Sequence, residues 1–169
     1  MYKLDASEKQ VWQFPADNFV ESVAVDSSGN VYAGTYGNSV YKLNASGNLV
    51  WKFPADSRVT SVAVDSSGNV YVGTGGNYVY KLNSSGNLVW LFSADNTVES
   101  VAVDSSGNVY VGTYTNSVYK LNASGNQVWQ FTADSSVSSV AVDSSGNVYA
   151  GSSNNSVYKL TPDGSNTTT

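Results

Sequence analysis

The string VAVDSSGNVY begins at Val23, Val62, Val101 and Val140, a step of 39 residues each time. The triplet YKL keeps the same step through Tyr2, Tyr41, Tyr80, Tyr119 and Tyr158, as do Trp12, Trp51, Trp90 and Trp129. Self-similarity at such a period constrains the fold more than any single motif does. Each unit is too small to bury its own apolar surface and must lean on its neighbours.

One unit reads as four short strands, A to D, over residues 22–25, 30–34, 40–43 and 49–53. A and B are joined by Asp26-Ser27-Ser28-Gly29, C and D by Asn44-Ala45-Ser46-Gly47. In such turns the Asx side chain bonds back to the backbone, and Gly supplies the positive φ that closes the hairpin. No apolar period of 3.6 residues appears, so no helix is expected. Val40 beside Tyr41 and Val50 beside Trp51 place apolar groups on both faces of the sheet, which requires packing on both sides. The reading is all-β: a β-propeller of four-stranded antiparallel blades, with four 39-residue repeats in the chain. One domain is expected over residues 1–160. It comprises a partial blade at 1–14, blades at 21–53, 60–92 and 99–131, and a last blade at 138–160, with a disordered Thr-rich tail at 161–169. The first residues read as strands C and D and the last as A, B and C. An N-terminal strand exchange can therefore close the circle, with one copy of strand C left over.

Composition excludes several functions. The chain has no Cys and no His, which removes disulfides, thiolate chemistry, ordinary zinc sites and imidazole catalysis. Its formal net charge is −5 and it carries no basic stripe, so neither nucleic acid nor an anionic membrane is an expected partner. No metal and no cofactor are expected. No signal peptide is expected ahead of the first repeat. The acidic composition, rich in Ser, Asn and Thr, suits an extracellular or cell-surface setting.

The unit VAVDSSGNVYxGT followed by VYKLNxSGNxVW resembles the quinoprotein-like (PQQ-like) propeller repeats of bacteria. Gly47 to Trp51, Gly86 to Trp90 and Gly125 to Trp129 match the end of that family's tryptophan-docking motif. Asn44, Asn83 and Asn122 stand where the motif has Asp, and Glu8 replaces the Gly that would precede Trp12. The resemblance implies the fold, not the quinone, because near-identical blades do not supply the unique polar pocket a quinone needs. Near-identity suits recent duplication and consensus engineering equally.

Most recurring side chains have structural readings. The four Trp are expected between blades. Asp26, Asp65, Asp104 and Asp143 are expected to cap their own turns. Asp17, Asp56, Asp95 and Asp134, in the D–A connections, are expected to make turn or inter-blade hydrogen bonds. Lys42, Lys81, Lys120 and Lys159 are expected on a solvated flank or paired with a nearby Asp.

The copies differ mainly in two segments. The D–A loops read NFVE, SRVT, NTVE and SSVS, and the B–C loops read YGNS, GGNY, YTNS and SNNS. Strand alternation puts both loop sets on one rim, where a rigid scaffold usually carries its contacts. The candidate ligand-binding residues are Asn18, Phe19, Glu21, Tyr36, Arg58, Tyr78, Thr97, Glu99, Tyr114, Ser136 and Asn154. The function expected is a non-catalytic, multivalent binding or scaffold module for a glycan or a protein. The alternative is a structural or engineered repeat protein without a ligand, and catalysis is disfavoured because every polar candidate recurs. Self-association through the surplus strand C is a further expectation.

Overall fold

A computed structural model of the chain describes residues 1–168. It is all-β, with no helix among the described residues. A two-stranded hairpin opens the chain, β1 (Tyr2–Leu4) with β2 (Gln10–Gln13). Blade 1 follows as β3 (Val20–Val25), β4 (Val31–Thr35), β5 (Ser39–Leu43) and β6 (Leu49–Pro54). Blade 2 is β7 (Val59–Val64), β8 (Val70–Thr74), β9 (Tyr78–Leu82) and β10 (Leu88–Ser93). Blade 3 is β11 (Val98–Val103), β12 (Val109–Thr113), β13 (Ser117–Leu121) and β14 (Gln127–Thr132). The last sheet has three strands, β15 (Val137–Val142), β16 (Val148–Ser152) and β17 (Ser156–Leu160). All neighbours in these sheets are antiparallel and consecutive in sequence.

The turns form as their residues dictate. The Asp26 carboxylate accepts from the Ser28 and Asn30 amides, and Gly29 takes φ 78°. The same bonds recur at Asp65, Asp104 and Asp143. Asn44, Asn83 and Asn122 do likewise in the C–D turns.

Successive blades meet along their A strands: β3, β7, β11 and β15 run side by side, so the sheets fan out from one axis. Glycine sets the spacing. A Cβ at Gly34 would lie 2.2 Å from Val59 Cγ1 of the next blade, and one at Gly73 would lie 2.5 Å from Val98 Cγ1. Each glycine is therefore the socket for a valine of the following sheet, and burying such a side chain stabilises by roughly 1.5–3 kcal/mol. Farther from the axis, Phe53 meets Tyr80 of the next blade edge-on at 5.6 Å, and Phe92 meets Tyr119 at 5.4 Å.

The outer strands seal the joints. Trp51 lies against Gly86 and donates from Nε1 to the Ser84 carbonyl at 3.1 Å, in the C–D turn of the next blade. Trp12, Trp90 and Trp129 repeat this with Ala45, Ala123 and Pro162. Of the two expected settings, the lysines take the solvent-facing outer flank rather than an Asp partner. Lys42 pairs with no carboxylate; its Nζ lies over the Tyr32 ring and donates to the same Ser84 carbonyl that Trp51 uses. Lys81 and Lys120 repeat the bond to Ala123 and Pro162. A backbone carbonyl that already faces the joint is a nearer acceptor than any Asp.

Three expectations change. Two-sided packing holds for the inner strands of blades 2 and 3 but not for the outer faces of the first and last sheets, where Val23, Val25 and Val157 are exposed, nor for D, where Leu49 and Val50 are exposed. The register shifts opposite Leu43, so Val50 sits on a bulge and turns away from the joint that Trp51 fills. The N-terminal strand exchange is not among the pairings of this chain: β2 pairs with β1, and the hairpin docks beside blade 1 through Trp12. Residues 161–168, expected as disordered, form a fifth C–D turn. Thr161 accepts from the Gly164 amide, Trp129 lies against Gly164, and Asn166 bridges to Leu160. Asn166 to Thr168 thereby occupy the strand D position beside β17. Thr169 lies outside the described residues.

Gly73→Ala is expected to lower stability by roughly 1–3 kcal/mol, since its Cβ enters space held by Val98. Thermal unfolding followed by circular dichroism measures this, and an unchanged Tm would contradict the socket.

Candidate functional site: the variable rim

The D–A and B–C loops form one rim because the backbone zips them together. The amides of Tyr36, Gly75, Tyr114 and Ser153 donate to the carbonyls of Phe19, Arg58, Thr97 and Ser136, each at 2.9 Å. Within each blade one D–A residue is thus fixed beside one B–C residue.

The rim's frame is held by side chains that do not vary. Asn38, Asn77 and Asn155 adopt φ of 64–67°, and Asn116 also has positive φ. The carbonyls of Asn38, Asn77 and Asn116 accept from Ala55, Ala94 and Ala133 at the start of the following connection. Invariance of this Asn within otherwise changing B–C loops was the signal for it, and residue-type reasoning about binding passed over it. The second Asp set does what its bonding capacity suggests. Asp17 accepts from Thr35, Ser39 and Lys52; Asp56 accepts from the Tyr80 hydroxyl; Asp95 accepts from Ser117; and Asp134 accepts from the Tyr158 hydroxyl. Each ties a D–A loop down onto its own blade.

These bonds mark the titration behaviour. Partial burial works to raise the Asp17 pKa, but hydrogen bonds from Ser39, Lys52, Thr35 and Tyr41 outweigh it and bring it from 3.8 to about 2. Burial, then the hydrogen bond to Asp56, pushes Tyr80 up to about 12. Burial and the turn carboxylates likewise raise Tyr32, Tyr71 and Tyr110 well above the phenol range. A carboxylate held by so many donors is a strut, not a proton carrier.

On this frame the candidate residues separate. Phe19 is 78% exposed and Tyr114 is 63% exposed, and Tyr36 is also exposed. The guanidinium of Arg58 lies over the Tyr36 ring at 6.0 Å, reaching from blade 2 to blade 1. Phe19, Tyr36 and Arg58 therefore make one patch across the first joint. Thr97 donates to the Gly75 carbonyl at 3.1 Å, which closes the second joint without an aromatic. Asn18 and Asn154 are exposed, and Ser136 is half-buried beside Ser153. Tyr78 is no loop residue: it opens β9, half-buried, with its ring 6.3 Å from that of Tyr80. Glu21 and Glu99 stand on β3 and β11 at the A-strand bulge, set back from the loops toward the axis. The rim brings together Phe19, Tyr36, Arg58, Thr97 and Tyr114 and leaves Tyr78, Glu21 and Glu99 outside the loop surface.

No group of three or more acidic or other metal-ligating side chains is placed to hold an ion among the described residues. The recurring Asp and Tyr side chains are engaged in turn and loop bonds.

The family model described as outer membrane protein assembly factor BamB, one of the PQQ-like repeat models, matches residues 2–97 and again 59–167. The chain belongs to this PQQ-like repeat family. No curated protein matches it. Among solved structures it is similar to the WD40 repeats of RRP9, with TM-score 0.85 and 15% identity over 90% of this chain and 51% of that one. The computationally designed Ika4 protein matches with TM-score 0.80 and 15% identity, covering 87% of this chain and 93% of that one. The designed Ika8 protein matches with TM-score 0.84 and 14% identity, covering 93% and 50%. The chain thus spans about half the length of the RRP9 and Ika8 chains. At these identities the likeness is one of fold: PQQ-like repeats here build a repetitive β-propeller architecture.

Asp17→Asn is expected to weaken the first D–A loop and flatten the acid limb of stability. The folded pKa of about 2 lies below the ordinary 3.8, so this contribution is fully present above about pH 4 and is lost as pH falls through about 2. Urea unfolding midpoints between pH 2 and pH 7 measure it, and parallel pH profiles for both proteins would contradict the role.

Proposed function

We propose that this PQQ-like propeller chain is a non-catalytic recognition scaffold whose variable rim contacts a glycan or a protein surface. One observation carries the reading. Exposed Phe19, Tyr36 and Tyr114, with Arg58 stacked across a joint, stand on loops whose backbone is fixed by invariant Asn and Asp bonds. Rigid aromatics and Arg supply contact area at little entropic cost, which suits recognition. Catalysis has less support, since it needs a unique constellation of tuned groups, and the perturbed carboxylates here hold loops in place. Several weak contacts along one rim would add through avidity.

A glycan microarray, followed by affinity capture on the immobilised chain, tests the proposal. The Tyr36→Ala/Tyr114→Ala double variant is expected to lose tenfold or more of whatever signal the parent gives, and Arg58→Ala several-fold. Ser66→Ala, on the opposite rim, should match the parent. Equal signals from the double variant and the parent would remove the rim from the function. Very high thermal stability with no specific signal in either assay would favour a purely structural repeat protein.

A further inference from the structure

Each joint between blades is one repeated interface, so the surfaces left without a neighbour can be read against their buried equivalents. Val62 and Val101 are 7% exposed at their joints, whereas Val23, at the same position on β3, is 55% exposed. Val40, Val79 and Val118 on the C strands are fully buried, whereas Val157 on β17 is 63% exposed. The two faces are opposite halves of the same interface. The β3–β4 side offers valines, and the β15–β17 side offers their socket.

The polar groups match in the same way. The Val62 amide donates to Ser22 Oγ of the preceding blade at 3.0 Å, and the Val101 and Val140 amides donate to Ser61 and Ser100 at 3.1 Å. Among the described residues two halves of this bond remain unmatched: Ser139 is exposed with no amide across from it, and the Val23 amide has no serine. The glycines repeat the pattern. A Cβ at Gly34, Gly73 or Gly112 would strike a valine of the next blade at 2.2–2.7 Å, whereas one at Gly151 would meet only Ser139 Oγ. Beside the first face, Met1, Tyr2, Trp12, Val23, Val25 and Val31 line an apolar groove where the A and B strands of a preceding blade would sit. The β1–β2 hairpin already fills the outer half of that position.

We infer that a second copy of this chain covers both faces. In this arrangement β15 and β16 of each copy seat against β3 and β4 of the other, so that two chains close one eight-bladed ring. Ser139 of one copy then accepts from the Val23 amide of its partner, and Gly151 receives Val20 and Val23. The hairpin of β1 and β2 supplies the outer strands of each shared blade. Strand C (β1 of one chain, β17 of the other) and the strand D position (β2 of one chain, residues 166–168 of the other) are each supplied twice there, so one C–D pair is released at each joint. The chain overlays about half of the RRP9 and Ika8 chains with TM-scores of 0.85 and 0.84, against 0.80 over nearly all of the Ika4 chain, so an arc of this length leaves room for a second one.

Native mass spectrometry and light scattering on the 169-residue chain test this. The expected species has twice the mass of one chain. Gly151→Val adds bulk that within this chain displaces only the Ser139 hydroxyl, 2.9 Å from the added Cβ, but that the joint does not admit, and is expected to halve the mass. Val23→Lys should do the same from the opposite face if Gly151→Val does not fold. A second assay uses the absence of native cysteine. Mixing Val23→Cys with Ser139→Cys chains under oxidation should yield a cross-linked pair on a non-reducing gel. A single-chain mass for the parent, an open series of larger oligomers, or no cross-link in the mixture would each overturn the inference.

Discussion

A valine in a glycine socket holds this molecule together. Val59 over Gly34, Val98 over Gly73 and Val137 over Gly112 set how closely one sheet approaches the next. The remaining joint features depend on that distance. Only at this spacing does a tryptophan on an outer strand reach the turn of the neighbouring blade, and only then can the Ser84 carbonyl serve both Trp51 and Lys42. A larger residue at the socket would wedge the inner edges apart and strip the outer edge of its seal.

The division of labour between the rims follows from what each turn must do. On one rim, the DSSG turns use their Asp for backbone amides and then for the tyrosine hydroxyl of strand B, so no freedom remains for change. On the other rim, closure rests on backbone bonds between the two loops and on an Asn in the left-handed region. The side chains at positions such as Phe19 and Tyr36 carry none of that load and can vary without loosening the fold.

Much of this was legible in the sequence, and the reasons are physical. The 39-residue step and the Asx-x-x-Gly turns specify four strands per unit, and apolar residues on adjacent strand positions require stacked sheets. What escaped was geometry that depends on exact register. Val50 reads as core beside Trp51, but a bulge opposite Leu43 sends it to solvent. Glu21 reads as rim, but the A-strand bulge sets it on β3. Tyr78 looks like a loop residue because its loop is a Gly-Gly-Asn turn, yet strand C starts one residue earlier than the pattern suggests. The tail hid its turn because Thr161 and Pro162 replace the Asn and the Ala or Ser of the three blades before it. A Thr hydroxyl can still accept the Ser165 amide, which preserves the bend.

The sameness of the joints reaches beyond the folded chain. Because every interface uses the same valine, glycine and tryptophan, removing or adding one whole unit leaves each remaining joint chemically unchanged. Unequal recombination between repeats of the gene would then alter the size of the protein in steps of one blade while sparing its packing. The constraint on such a lineage falls on the circumference it must complete, not on the compatibility of neighbours.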